Sequence, residues 1–253
     1  MVFNLPLSVW ILVAAGAIGI PAATCVVLYR AAVATGRGRR AGAGIAVAAG
    51  AGFAAWIVVD SLLAHADVYR QDPATLRVWM PFALVGPLLV ALLATRIPVM
   101  SRILADPGTP ARLAVPQTLR VVGVVFFIVL ALHKLPPVFA LPAGLGDVAV
   151  GISAPFVARR LAAGGGRRGA VWFNALGILD LVVALGTGFL AALAPHRILA
   201  VRPSTEALGL LPLTLIPTAA VPVALALHVV SLRRLSVVAR SIPVAARSVA
   251  NLG

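Results

Sequence analysis

The sequence predicts an all-α integral membrane bundle of seven transmembrane helices, N-terminus outside and C-terminus cytoplasmic. Three observations predict it. The 253 residues are 61% hydrophobic and only 11% charged, where a soluble chain carries about a quarter charged residues. Apolar runs of about 20 residues, long enough for ~30 Å of hydrocarbon, recur along the chain. The basic residues gather in alternate gaps between those runs, which is how a polytopic protein fixes its orientation.

The runs lie near residues 5–29, 43–64, 76–95, 119–133, 145–158, 170–193 and 207–232, forming one transmembrane domain over 1–232, with a basic cytoplasmic tail at 233–253. Arg30, Arg37, Arg39 and Arg40 follow the first run, and Arg96, Arg102, Arg112 and Arg120 fall between the third and fourth. Arg159, Arg160, Arg167 and Arg168 join the fifth to the sixth; Arg233, Arg234, Arg240 and Arg247 follow the seventh. The opposite side has only Arg70, Arg77, Lys134, Arg197 and Arg202. The richer side is cytoplasmic by the positive-inside rule.

The first run lacks a basic leader and is too long for a cleaved signal, so it is expected to be retained as a span. Its Gly16 and Gly19, and the Gly/Ala-rich second run, allow close helix packing. The second run ends with Asp60, and the third contains Pro81 and Pro87. Counted from Arg120 and back from Arg159, the fourth and fifth runs reach His133 and Asp147 after only roughly 20 Å of helix each. Between them lies the apolar, Pro-rich connection L-P-P-V-F-A-L-P-A-G. Short, Pro/Gly-interrupted segments of this kind point to a site inside a membrane protein. The seventh run carries Pro212, Pro217 and Pro222 at five-residue intervals, a pattern expected to kink or unwind it as a hinge.

Seven residues of the chain are acidic. Ionisable groups within hydrocarbon face a bundle interior or a wet cavity and are functional candidates by default. Asp147 and Asp180 are the leading pair, both in Gly-x-x-Asp on helices of opposite direction. On the same ruler His133, Lys134 and Asp60 reach a comparable depth, and Asn174 shares a helix face with Asp180. The expected substrate- or ion-binding set is therefore Asp147, Asp180, His133, Lys134, Asn174 and Asp60. His133 and Lys134 also suit an interfacial anchor, and the two aspartates also suit a purely structural polar contact.

The charge of +14 would suggest nucleic acid in a soluble protein; here anionic lipid headgroups on the cytoplasmic face are the expected partners. The single cysteine, Cys25, excludes an internal disulfide and any cysteine-based zinc site. His65, Asp67, His196 and Glu206 have no metal-ligand spacing and read as solvated loop residues, so no metal is expected. His228 has no histidine at its own depth to share a haem, and no cofactor is expected. The last span holds no lysine for a retinal Schiff base. No P-loop, dinucleotide turn or hydrolase motif is present.

The expected function is that of a small transporter or permease-like protein in a bacterial inner membrane, of unfixed oligomeric state. The alternatives are an intramembrane enzyme acting on a lipid or isoprenoid and a structural assembly subunit; catalysis is the less favoured reading. Three stretches, L-P-P-V-F-A-L-P-A-G-L-G-D at 135–147, W-F-N-A-L-G-I-L-D-L at 172–181 and P-L-T-L-I-P-T-A-A-V-P-V-A-L-A-L-H-V-V-S-L at 212–232, resemble a group of uncharacterised bacterial multi-pass membrane proteins. The resemblance covers the C-terminal half. It implies a complete bacterial membrane protein and carries no catalytic residue.

Overall fold

A computed structural model describes residues 5–72, 74, 79–192 and 198–250, with side chains as far as residue 236. Among the described residues every regular element is helical. The order is α1 (Leu7–Ala34), α2 (Gly38–His65), α3 (Trp79–Ala94), α4 (Pro98–Leu104) and α5 (Thr109–Ala114). A 3-10 helix (Val115–Val124) and α6 (Val125–Ala131) follow, then α7 (Pro137–Ala162) and α8 (Arg167–Leu190). A short 3-10 turn (Glu206–Gly209) and a π-helical turn (Ile216–Ala220) lead into α9 (Val221–Ala250).

Among the described residues six stretches are long and apolar enough to cross a membrane: 7–34, 38–65, 109–131, 137–162, 167–190 and 216–236. A seventh crossing exists only if α3 and α4, bent by 81° at their junction, count as one. Large aliphatic side chains such as Val47, Leu62, Val90 and Leu145 stand exposed around the bundle, as expected where lipid rather than water is the solvent.

The fourth and fifth runs do not stop short, which corrects the expectation. The fourth run forms the continuous stack α5, 3-10 helix and α6, 23 residues long, and the fifth forms α7 with 26. Arg120 and Asp147 lie inside these helices rather than at their ends, because each neutralises the other and need not reach a headgroup. The prolines do not interrupt the fifth run at its start: Pro137 occupies the first turn of α7, where a missing N–H costs nothing. The crossing part of the last run begins at Ile216, well after residue 207.

The helices are not equally central. The 216–236 stretch is the core, most of its residues buried, while α2 buries only Gly42, Asp60 and Ala64. One end of the bundle is basic and tied together by charged side chains on carbonyls: Arg167 donates to Leu235 and Arg234 to Ser101. The far end is closed by an apolar cluster of Leu5, Val9, Val129, Leu135, Leu208 and Leu213.

Candidate functional site

The 3-10 helix sets the site. With 3.0 residues per turn, side chains three apart eclipse each other, and runs of this length are uncommon. Gln117, Arg120 and Gly123 therefore share one edge, and all three are buried. Gln117 donates from Nε2 to the Ala224 carbonyl at 2.9 Å, fastening this edge to α9. Arg120, with 2% of its side chain exposed, then sits halfway along its crossing.

Each nitrogen of the Arg120 guanidinium has a partner on a different helix. Nε donates to Asp147 Oδ1 of α7 at 2.7 Å, Nη2 to Asp180 Oδ2 of α8, and Nη1 meets His228 Nε2 of α9 at 3.1 Å. A guanidinium only donates, so His228 Nε2 must present its lone pair. The ring hydrogen is then on Nδ1, which donates to Asn174 Oδ1 at 2.9 Å. Asn174 passes the chain on through Nδ2, to the Ala170 carbonyl at 2.7 Å and to Ser231 Oγ at 3.1 Å. Phe173 lies against the imidazole with ring centroids 5.4 Å apart.

Three glycines make room for this network. A Cβ on Gly123 would overlap Asp147, one on Gly146 would overlap Asp180, and one on Gly177 would overlap the His228 ring. A Cβ on Gly151 would strike the backbone of the 3-10 helix at Val121. Close approach of backbones, here needed to bring short aspartates to one arginine, is the use of small residues in membrane helices.

A cavity of about 280 Å³ adjoins the centre. It is lined by Asp147 and Asp180, by Tyr69, Gln71 and Asp72, and by apolar side chains of α3, α7, α8 and the π-helical turn. The Asp147 Oδ2 and Asp180 Oδ1 atoms are not used by Arg120, and both carboxylates stay slightly exposed, at 16% and 12%.

A second polar centre is separate. Asp60, fully buried in α2, takes a hydrogen bond on Oδ1 from the Tyr69 hydroxyl at 2.7 Å and contacts the Thr218 hydroxyl through Oδ2. Thr218 lies in the π-helical turn, and four residues on stands Pro222, which has no N–H for the Thr218 carbonyl. Trp56 Nε1 of α2 takes that carbonyl at 2.9 Å. Burial first, and the bond to Asp60 second, hold the Tyr69 phenol well above its ordinary value.

The structure thus brings Asp147, Asp180 and Asn174 into one network and puts Asp60 in another. His133 and Lys134 join neither: both are exposed in the turn between α6 and α7, His133 with a positive φ of 55°. Pro212 precedes the π-helical turn, Pro217 lies within it and Pro222 follows it. Arg120, the hub, was assigned from sequence to the cytoplasmic loop, and His228, Ser231, Tyr69 and Thr218 were not connected to any site. One signal was available for Arg120, the three-residue spacing of Gln117, Arg120 and Gly123. Among the described residues no three His, Cys, Asp or Glu side chains gather as a metal site; His196 is outside the described residues.

The chain belongs to the family defined by the domain of unknown function DUF8737, whose profile matches residues 77–236. That span holds the whole Arg120 centre and Thr218, and it begins after Asp60 and Tyr69. No curated protein and no solved structure matches the chain.

Proposed function

We propose that the protein is a small permease-like transporter of a bacterial inner membrane, oriented with its basic end in the cytoplasm, and that the Arg120 centre is its working site. The observation that carries this reading is the unequal charge of the centre, one guanidinium shared by two carboxylates that line a cavity. With both acids ionised the centre holds one negative charge in excess, and one proton makes it neutral. A group with two charge states beside a mid-membrane cavity is what proton-linked transport requires. The broken 216–220 segment against that cavity supplies irregular backbone where helices of transporters move.

The test is current across a supported membrane of proteoliposomes, recorded while candidate solutes are applied at several pH values. Asp147→Asn and Asp180→Asn should each abolish a pH-dependent current that the wild type shows, while Asp106→Asn, in a surface ion pair with Arg112 at 2.6 Å, should leave it intact. A current unchanged in both cavity variants overturns the reading. The second reading, an enzyme acting on a lipid or isoprenoid, is favoured by the apolar walls of the cavity; it predicts a lipid co-purifying with the wild type and chemically altered in amount or form by the same two variants.

A further inference from the structure

Resting on the reading of this cavity as the working site, we propose that its occupant is a small organic monocation with an apolar body, entering sideways from the bilayer. Charge selects the sign. The chain has 21 basic and 7 acidic residues, yet the charged residues lining this cavity are Asp72, Asp147 and Asp180, with no basic side chain among the described lining residues. Arg120 is not among the residues that line it; it lines a smaller space of about 30 Å³ that shares Asp147. An anion would meet the carboxylate oxygens of Asp147 and Asp180 with no cation facing it among the described lining residues. A neutral polar molecule could enter only with a proton taken up by the centre, whereas a cation balances the excess charge itself.

The walls select the body. Apart from Tyr69, Gln71 and the three acids, the lining is aliphatic or aromatic, including Leu84, Phe126, Phe139 and Leu185. At about 280 Å³ the cavity is just below the ~300 Å³ where typical small-molecule pockets begin. It suits one aromatic ring or a short alkyl chain with its headgroup, and excludes a two-chain lipid. A fully hydrated inorganic cation would gain nothing from such walls.

The route follows from the helices on either side. α3 contributes Met80, Leu84 and Val85, and α8 contributes Leu181, Leu185 and Phe189, facing each other across the cavity. The contacts of α3 are chiefly with α9 and the π-helical turn, and those of α8 with α7 and α9. Val85 and Phe189 line the cavity and are also solvent-exposed. They mark a seam between α3 and α8 through which an amphiphile dissolved in lipid reaches the acids without crossing water.

The experiment is calorimetric titration of the full chain in nanodiscs with three probes of similar shape. These are benzyltrimethylammonium, its uncharged carbon analogue neopentylbenzene, and phenylacetate. One molecule of the ammonium should bind saturably, at least tenfold more tightly than the uncharged analogue, with no binding of the anion. Asp147→Asn or Asp180→Asn should weaken it at least tenfold, and Ala184→Trp, which fills the cavity and leaves the carboxylates in place, should abolish it. Val85→Trp at the seam should slow association more than it changes affinity. Equal binding of the charged and uncharged probes, tighter binding of the anion, or full binding by Ala184→Trp overturns the proposal. Cation binding without any pH-dependent current would contradict transport and leave this inference standing. A pH-dependent current for an anionic or neutral solute, without cation binding, would do the reverse.

Discussion

Two buried aspartate centres lie in the same bundle and solve the same problem differently. Around Arg120, charge is met by charge: two carboxylates share a guanidinium whose three nitrogens are all used, and glycines on three helices give the space. Around Asp60 no cation takes part among the described residues, and the carboxyl is held by the hydroxyls of Tyr69 and Thr218 alone. The first centre ties the four central helical crossings together and opens on a cavity. The second ties peripheral α2 to the irregular turn before α9. Breaking the ion network strands charges with no counter-ion, whereas losing one hydroxyl leaves one oxygen unpaired in a carboxyl that keeps its other hydroxyl partner, so equal-sized substitutions should have unequal effects.

The largest effect is expected at Arg120. Arg120→Leu leaves Asp147 and Asp180 buried together with no counter-charge, and loss of one partner from a buried pair costs about 3–5 kcal/mol. Thermal unfolding in mild detergent should show a large fall in midpoint or no folded protein. A smaller fall is expected from Gly146→Ala, whose new methyl displaces the Asp180 carboxylate; overpacking of this kind costs about 1–3 kcal/mol. Gly169→Ala, where a Cβ meets nothing, should be neutral or slightly stabilising, since alanine is the better helix former. If the two alanine variants melt alike, the glycine notches are not needed.

The smallest effect belongs to the Asp60 centre. Tyr69→Phe leaves one buried Asp60 oxygen without its donor. An unsatisfied buried acceptor costs about 1–3 kcal/mol, and the lower part of that range is expected because Asp60 keeps Thr218. It should also change the response to alkali. The folded phenol is held above its ordinary value of 10.0, so above that pH the unfolded chain releases a proton that the folded chain keeps. Stability from this group is therefore complete below the unfolded value and declines as pH rises past it. The wild type should lose stability more steeply than Tyr69→Phe in that range, and parallel curves would contradict the assignment.

The same contrast explains what could be seen in the sequence. The helical membrane class followed from composition and run length, and Asp147, Asp180 and Asp60 stood out because acids are rare in hydrocarbon. Arg120 did not, because an arginine beside an apolar run ordinarily marks the membrane border, and only its partners 27, 60 and 108 residues away show otherwise. Misplacing Arg120 also made the fourth crossing look short. Asp147 looked like a helix start because Pro136, Pro137 and Pro142 precede it, yet α7 begins at Pro137 and runs through. Tyr69 and Thr218 were hidden for a different reason: a hydroxyl is ordinary until the fold aims it at a buried acid, and Thr218 lies 158 residues from Asp60.

Arg120, Asp147 and Asp180 act as one buried charged unit, and a set of melting curves tests that directly. Arg120→Leu, Asp147→Leu and Asp180→Leu would be measured singly and then combined in one protein. Replacing a whole buried ion triad by apolar residues is often neutral or stabilising by about 1–4 kcal/mol. Each single variant should melt well below the wild type, Arg120→Leu lowest, and the triple variant should recover to the wild-type midpoint or above it. A triple variant as destabilised as the three single losses added together would show that the residues act apart, and the centre described here would not exist.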